Sequence, residues 1–158
     1  MSNAAKAYEF LKAQEGNHEG EGDWLLVDQD RINMFADATL DHQFIHIDPE
    51  RALNETPFGS TIAHGFLTLS LLVHLDGTIK RETPPLDGFI MGINYGLNKV
   101  RFINPVNVNS RIRASSVLSD VTLKGSAIDQ IRTITIEIEG KEKPAAVIES
   151  IIRMVFDS

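Results

Sequence analysis

Ile62-Ala63-His64-Gly65-Phe66-Leu67-Thr68-Leu69-Ser70-Leu71-Leu72-Val73-His74-Leu75 is apolar nearly all the way round when wound as a helix. The pattern predicts a helix from about Thr61 to Lys80, and one with so little polar surface must be buried on most sides. At roughly 20 residues it would run about 30 Å, enough to cross a small sheet. The cover lies downstream. After Pro84-Pro85 the apolar period falls to two: Gly88 to Phe102, Arg111 to Val121, Ala127 to Glu139 and Ala145 to Phe156 are rich in Ile, Val and Thr, and Ile134, Ile136 and Ile138 alternate with Thr133, Thr135 and Glu137. Lys124-Gly125 and Glu139-Gly140-Lys141 read as hairpin turns, and Asn104-Pro105 separates the first long strand from the second. Strands joined by tight turns form an antiparallel sheet whose apolar face needs a partner. The expected fold is therefore α+β, a curved antiparallel β-sheet wrapped around a long central helix.

Working back toward the N-terminus, Ala4 to Gln14 suits a short amphipathic helix, and the polar Asn17-His18-Glu19-Gly20-Glu21-Gly22 segment ends it. Residues 1–22 thus read as a helix and linker packed on the outside of a single domain, 23–158. Trp24 to Val27 is a short strand. Asp28 caps a helix with apolar Ile32, Phe35 and Ala36 that runs out near Thr39, and Asp48 caps another with Pro49 in its first position. Between these two helices lies Asp41-His42-Gln43-Phe44-Ile45-His46.

Composition narrows the chemistry. A chain of 158 residues fits one domain. It has no cysteine, which removes disulfides, thiolate metal sites and cysteine nucleophiles and fits a reducing cytoplasm. A net charge of −7 opposes nucleic acid and anionic membranes as partners. Neither a leader peptide nor a run of eighteen apolar residues is visible, so the expectation is a soluble cytoplasmic protein.

Asp41 and His46 set a carboxylate and an imidazole close enough to share one water, and Gly65, near the start of the apolar helix, offers a backbone N–H to a developing oxyanion. That is the outline of a water-addition site. Each residue also has a plainer reading. Asp41 could cap loop amides. His42, His46 and Asp48 imitate a metal cluster, but no well-spaced further ligand follows, so no metal is expected. His42 suits a solvated loop and His74 a core or interface position, while His64 either supports the site or is a hydrogen-bonded structural histidine. Ser70 lacks a nucleophile-elbow pattern and is read as structural. Gly88, Gly92 and Gly96 form no dinucleotide fingerprint and fit sheet curvature instead.

Asp41 through Ala52, then Pro57-Phe58-Gly59, Ile62-Ala63-His64-Gly65 and Asn94 through Phe102, resemble the MaoC-like dehydratases, or R-specific enoyl-CoA hydratases, most closely their nodulation-protein-N-like branch. Ordered motifs cover about Trp24 to Arg113, and the later strands match in pattern only. The resemblance implies a hot-dog fold, a homodimer or dimer of dimers, an acyl-CoA substrate with no separate cofactor, and reversible addition of water to trans-2-enoyl-CoA giving an (R)-3-hydroxyacyl-CoA. Asp41 and His46 match the family's catalytic pair and Gly65 its thioester-contacting glycine, with Gln43 and His64 as supporting contacts. Leu40 departs from the glycine or polar residue usual before the aspartate in the family it resembles. Lys99 and Arg101, with Arg111 and Arg113, either meet coenzyme A phosphates or face solvent. Two other readings stay open: a thioesterase that directs water at the thioester carbonyl, and a non-catalytic acyl-CoA-binding or dimerisation module.

Overall fold

A computed structural model describes residues 1–157. Its frame is one antiparallel sheet. The four long strands are β3 (Phe89–Phe102), β4 (Ser110–Lys124), β5 (Ala127–Ile138) and β6 (Ala146–Phe156), joined in space with β1 (His18–Glu21) in the order β1-β4-β5-β6-β3, while β2 (Leu25–Val27) also pairs with β4. The hairpin glycines Gly125 and Gly140 take positive φ, +63° and +74°, the conformation such turns demand. The strand period of two buries Ile112 and Ala114, Ile134, Ile136 and Ile138, and Ala146 and Ile148 on one face. Although β3 precedes β4 in sequence, it lies at the far edge beside β6, and residues 103–109 carry the chain across. Three register shifts along β3 bend this edge, one of them between Asn94 and Gly96.

The central helix is shorter than the apolar run. It consists of α5 (Gly65–Ser70) and α6 (Leu72–Gly77), joined at Leu71. Ahead of it the backbone is committed elsewhere: the N–H of Ile62 donates to Ile45 O and that of Ala63 to Val106 O. At the joint, Ser70 Oγ donates to Phe66 O at 2.7 Å, the back-bonding that loosens a helix locally. Leu67, Leu72 and Leu75 face the sheet and are buried with Ile112, Ile136 and Ile148. The other side is less covered than the pattern demands, because Phe66 and Val73 are 68% and 60% exposed. Neighbouring β3 is likewise exposed along nearly its whole length, including Ile93, Tyr95 and Leu97.

At the N-terminus α1 (Asn3–Lys12) buries Ala4, Ala7 and Leu11 against Leu118, Val121, Ile128 and Phe156, forming a second apolar cluster. The polar stretch expected as a linker holds β1, paired with β4. Glu19 on this strand meets Arg132, Arg81 and Ser116, a buried polar knot. No helix among the described residues is long and apolar enough to cross a membrane.

Candidate active site

Two helices hold the Asp41–His46 segment at its ends, as the caps in the sequence require. Asp28 accepts from Arg31 N at 2.9 Å and starts α2 (Gln29–Thr39), and Asp48 accepts from Arg51 N at 3.0 Å and starts α4 (Pro49–Glu55) with Pro49 in the first turn. The link between them is more ordered than a loop, because Phe44–Ile47 forms one helical turn, α3, that carries His46. Leu40 closes α2 in the left-handed region at φ 62°, ψ 22°, with its side chain 81% exposed. That backbone explains why a glycine suits this position. A left-handed leucine costs about 1–2 kcal/mol, and glycine's greater freedom when unfolded returns part of that. Leu40→Gly should therefore stabilise the fold by about 0.5–1 kcal/mol, raising the melting temperature by roughly 2 °C. A lower melting temperature would show that the leucine side chain makes a contact worth more than the strain.

His46 is buried, and its Nδ1–H donates to Ile62 O at 2.7 Å, so Nε2 carries the free lone pair. Burial holds its pKa below the ordinary 6.5; the bond to Ile62 O and the nearby Asp41 oppose that shift and His64 adds to it. The neutral base is thus the resting form near pH 7. His64, 2% exposed, lies flat against it, with ring centroids 3.8 Å apart and planes 24° from parallel. Its Nε2–H donates to the Asp41 carbonyl at 2.9 Å, and its Nδ1 is buried without a partner. Asp41 keeps its carboxylate about half exposed, with Oδ2 3.9 Å from His64 Nε2 and Oδ1 accepting from Gln43 N at 3.4 Å.

Asp41, His46 and His64 bring one donor atom each within 4.8 Å of one another, the dimensions of a metal-binding group. The rings argue against that use. A metal sits in the plane of each imidazole that holds it, and two stacked, nearly parallel rings cannot both aim a lone pair at one ion. The arrangement suits proton exchange better.

His46 opens on a cavity of about 330 Å³ whose wall also includes Gly65, Thr68, Phe58 and Phe102. Gly65 is the first residue of α5, and no group among the described residues accepts its N–H. A Cβ there would stand 3.3 Å from the Phe102 ring, so the missing side chain keeps the approach to that N–H open. With α5 only six residues long, the bare N–H groups matter more than any macrodipole.

The structure brings together Asp41, His46, His64 and Gly65, and leaves the other expected contacts outside. Gln43 caps α3 with its backbone carbonyl, and its side chain is exposed without a hydrogen bond in the chain. Lys99 and Arg101 alternate with Val100 and Phe102, and since those two face the core and the cavity, both basic residues point to the opposite face of β3. Arg111 and Arg113 share outer-face ion pairs with Glu139 and Glu137. Ser70 lies outside the cavity, and His42 pairs with Asp37 at the surface. Sequence reasoning missed Thr68 and Phe102. Thr68 was the more accessible of the two, being three residues beyond Gly65 on the same helix face.

The model of the MaoC like domain matches residues 12–139. The 3-hydroxyacyl-thioester dehydratase Z of Mycobacterium tuberculosis is 50% identical over 146 residues, 92% of this chain and 93% of its own. Nodulation protein N of Rhizobium leguminosarum bv. viciae is 47% identical over 143 residues, 90% and 87% of the two chains. Among solved structures, the monoamine oxidase regulatory protein from Archaeoglobus fulgius superposes with a TM-score of 0.75 at 25% identity, covering 92% of each chain.

Proposed function

The chain belongs to the MaoC-like domain family, and from that premise we propose that it is a hydro-lyase, adding water reversibly to a trans-2-enoyl-CoA to give an (R)-3-hydroxyacyl-CoA. The observation that carries the reading is the orientation of His46, whose Nδ1–H is spent on Ile62 O while Nε2 stays free in a cavity shared with the bare N–H of Gly65. In hydration His46 Nε2 takes a proton from water as the oxygen bonds to the β-carbon. The C=C electron pair moves toward the thioester oxygen, where the Gly65 N–H meets the growing charge. The Asp41–His46 pair then returns the proton to the α-carbon on the same face, so that one water is added and both residues end as they began. Asp41, half exposed and close to His46, holds and orients that water. The dehydratase name of the 50% identical relative points to the same chemistry.

A homodimer accompanies this reading. An open edge strand that exposes Ile93 and Tyr95, and Leu97 near exposed Val73, leaves more apolar surface than a lone monomer usually keeps in water. Sedimentation should return twice the 17.5 kDa of the chain, and a stable monomer would remove this part.

The deciding measurement is loss of enoyl thioester absorbance on a series of acyl lengths, followed by chiral resolution of the product. An (R)-3-hydroxyacyl thioester supports the reading. Release of free thiol would replace it with a thioesterase, and binding without turnover with an acyl-CoA-binding module.

A further inference from the structure

Four hydroxyls at helices of this chain are tied back to a carbonyl about one turn earlier: Thr39 to Phe35, Thr56 to Ala52, Ser70 to Phe66 and Thr78 to Leu75. Thr68 is not. It lies inside α5, only 3% exposed, and the carbonyl it would use, that of His64, already accepts from Leu67 N at 3.0 Å and Thr68 N at 3.2 Å. Its hydroxyl has no hydrogen-bond partner among the described residues, yet it is not one of the polar atoms sealed inside the protein. The space that Thr68 borders is the cavity of His46 and Gly65. Helical side chains lean over the turn preceding their own Cα, so Thr68, three residues after Gly65, overhangs the gap that Gly65 leaves. A hydroxyl kept out of the helix ladder, nearly buried and open to the reaction cavity is placed for a ligand rather than for the fold.

We propose that Thr68 is a catalytic residue whose Oγ1–H donates to the thioester oxygen of the bound acyl-CoA, completing with the Gly65 N–H a two-donor oxyanion site. The inference rests on the hydration reading. No bond to Thr68 forms or breaks. Its hydrogen bond strengthens as charge moves onto the oxygen during addition and weakens as the α-carbon is protonated, so its effect falls on kcat rather than KM.

Thr68→Val removes the hydroxyl at nearly constant shape, and Thr68→Ser keeps it. Thr68→Val should lower kcat on the order of 100-fold, with KM changed by no more than about threefold, while Thr68→Ser stays within about fivefold of wild type. An aryl enoyl thioester, cinnamoyl-CoA, reads the contact directly, because its absorbance moves to longer wavelength when the carbonyl is polarised. The shift on binding should be smaller in Thr68→Val than in wild type. Wild-type kcat in Thr68→Val, equal damage from the serine and valine variants, or an undiminished absorbance shift would each overturn the assignment. An inactive wild-type protein would refute the hydration reading itself, whereas active wild type with equally active Thr68→Val would refute only the role of Thr68.

Discussion

Replacing His46 with alanine should lower kcat for enoyl thioester hydration on the order of 1,000-fold, within the range expected for losing a positioned general base, and Asp41→Asn should approach the same loss. The two substitutions act on one proton path, so the double variant should be scarcely slower than either single one. The structure also fixes the sign of the pH dependence. His46 works as a base only when neutral, and burial holds its pKa below 6.5. Hydration should therefore be full near neutrality and decline only as pH falls through a value below 6.5, with that acid limb absent from the residual activity of His46→Ala. Steady-state rates from pH 5 to 8 on the three variants test this. Equal rates in wild type and His46→Ala would leave the imidazole without a role, and an acid limb above 6.5 would mean that the titrating base is another group.

What the sequence discloses here is mostly local. Asp28 and Asp48 could be read as caps because an N-cap bond needs only the residue and the N–H three positions on, and both bonds form at about 3 Å. The alternation of Ile134, Ile136 and Ile138 shows one buried face of β5 for a similarly local reason. The misses involve partners far away in the chain. The late start of the central helix, after His64, depends on Ile45 and Val106 claiming the amides of Ile62 and Ala63. Asn17 to Gly22 looks like a linker until β4 is available to pair with it, since a four-residue strand containing two glutamates and a glycine has no strand pattern of its own. The position of β3 beside β6 follows from crossing the sheet, which no turn residue specifies. In the site, Asp41, His46 and Gly65 stand out by the short step from Asp41 to His46 and the place of Gly65 at the head of the apolar run. Thr68 does not, because a threonine on an apolar helix shows its purpose only once its hydroxyl is seen to lack the usual carbonyl.

Glu19→Gln should destabilise the protein by about 3 kcal/mol at pH 7, lowering the melting temperature by roughly 10 °C, while leaving kcat unchanged. The Glu19 side chain is 12% exposed, and its carboxylate accepts from Arg132 Nε and Ser116 Oγ, each at 2.8 Å, and from Arg81 Nη2 at 3.1 Å. It thereby joins β1 to two long strands and to the segment after α6, between the two apolar clusters. Burial alone would raise its pKa, but the hydrogen bonds from Arg132 and Arg81 outweigh that and hold it at about 2, against an ordinary 4.5. A shift of that size corresponds to about 3 kcal/mol favouring the folded state. Because the folded pKa is depressed, this stability is fully present above pH 4.5 and is lost as pH falls toward 2. The neutral amide cannot balance the guanidinium charges. Arg81 retains Asp76 at 2.6 Å, but Arg132 is left with neutral amide acceptors only, a largely buried cation without a countercharge. Urea midpoints for the two proteins should differ clearly at pH 7 and converge as pH falls from 4.5 toward 2, where Glu19 itself becomes protonated. Coincident midpoints at pH 7 would mean that the network contributes no more than a neutral amide in the same place. A constant difference at every pH would assign the loss to packing instead of charge.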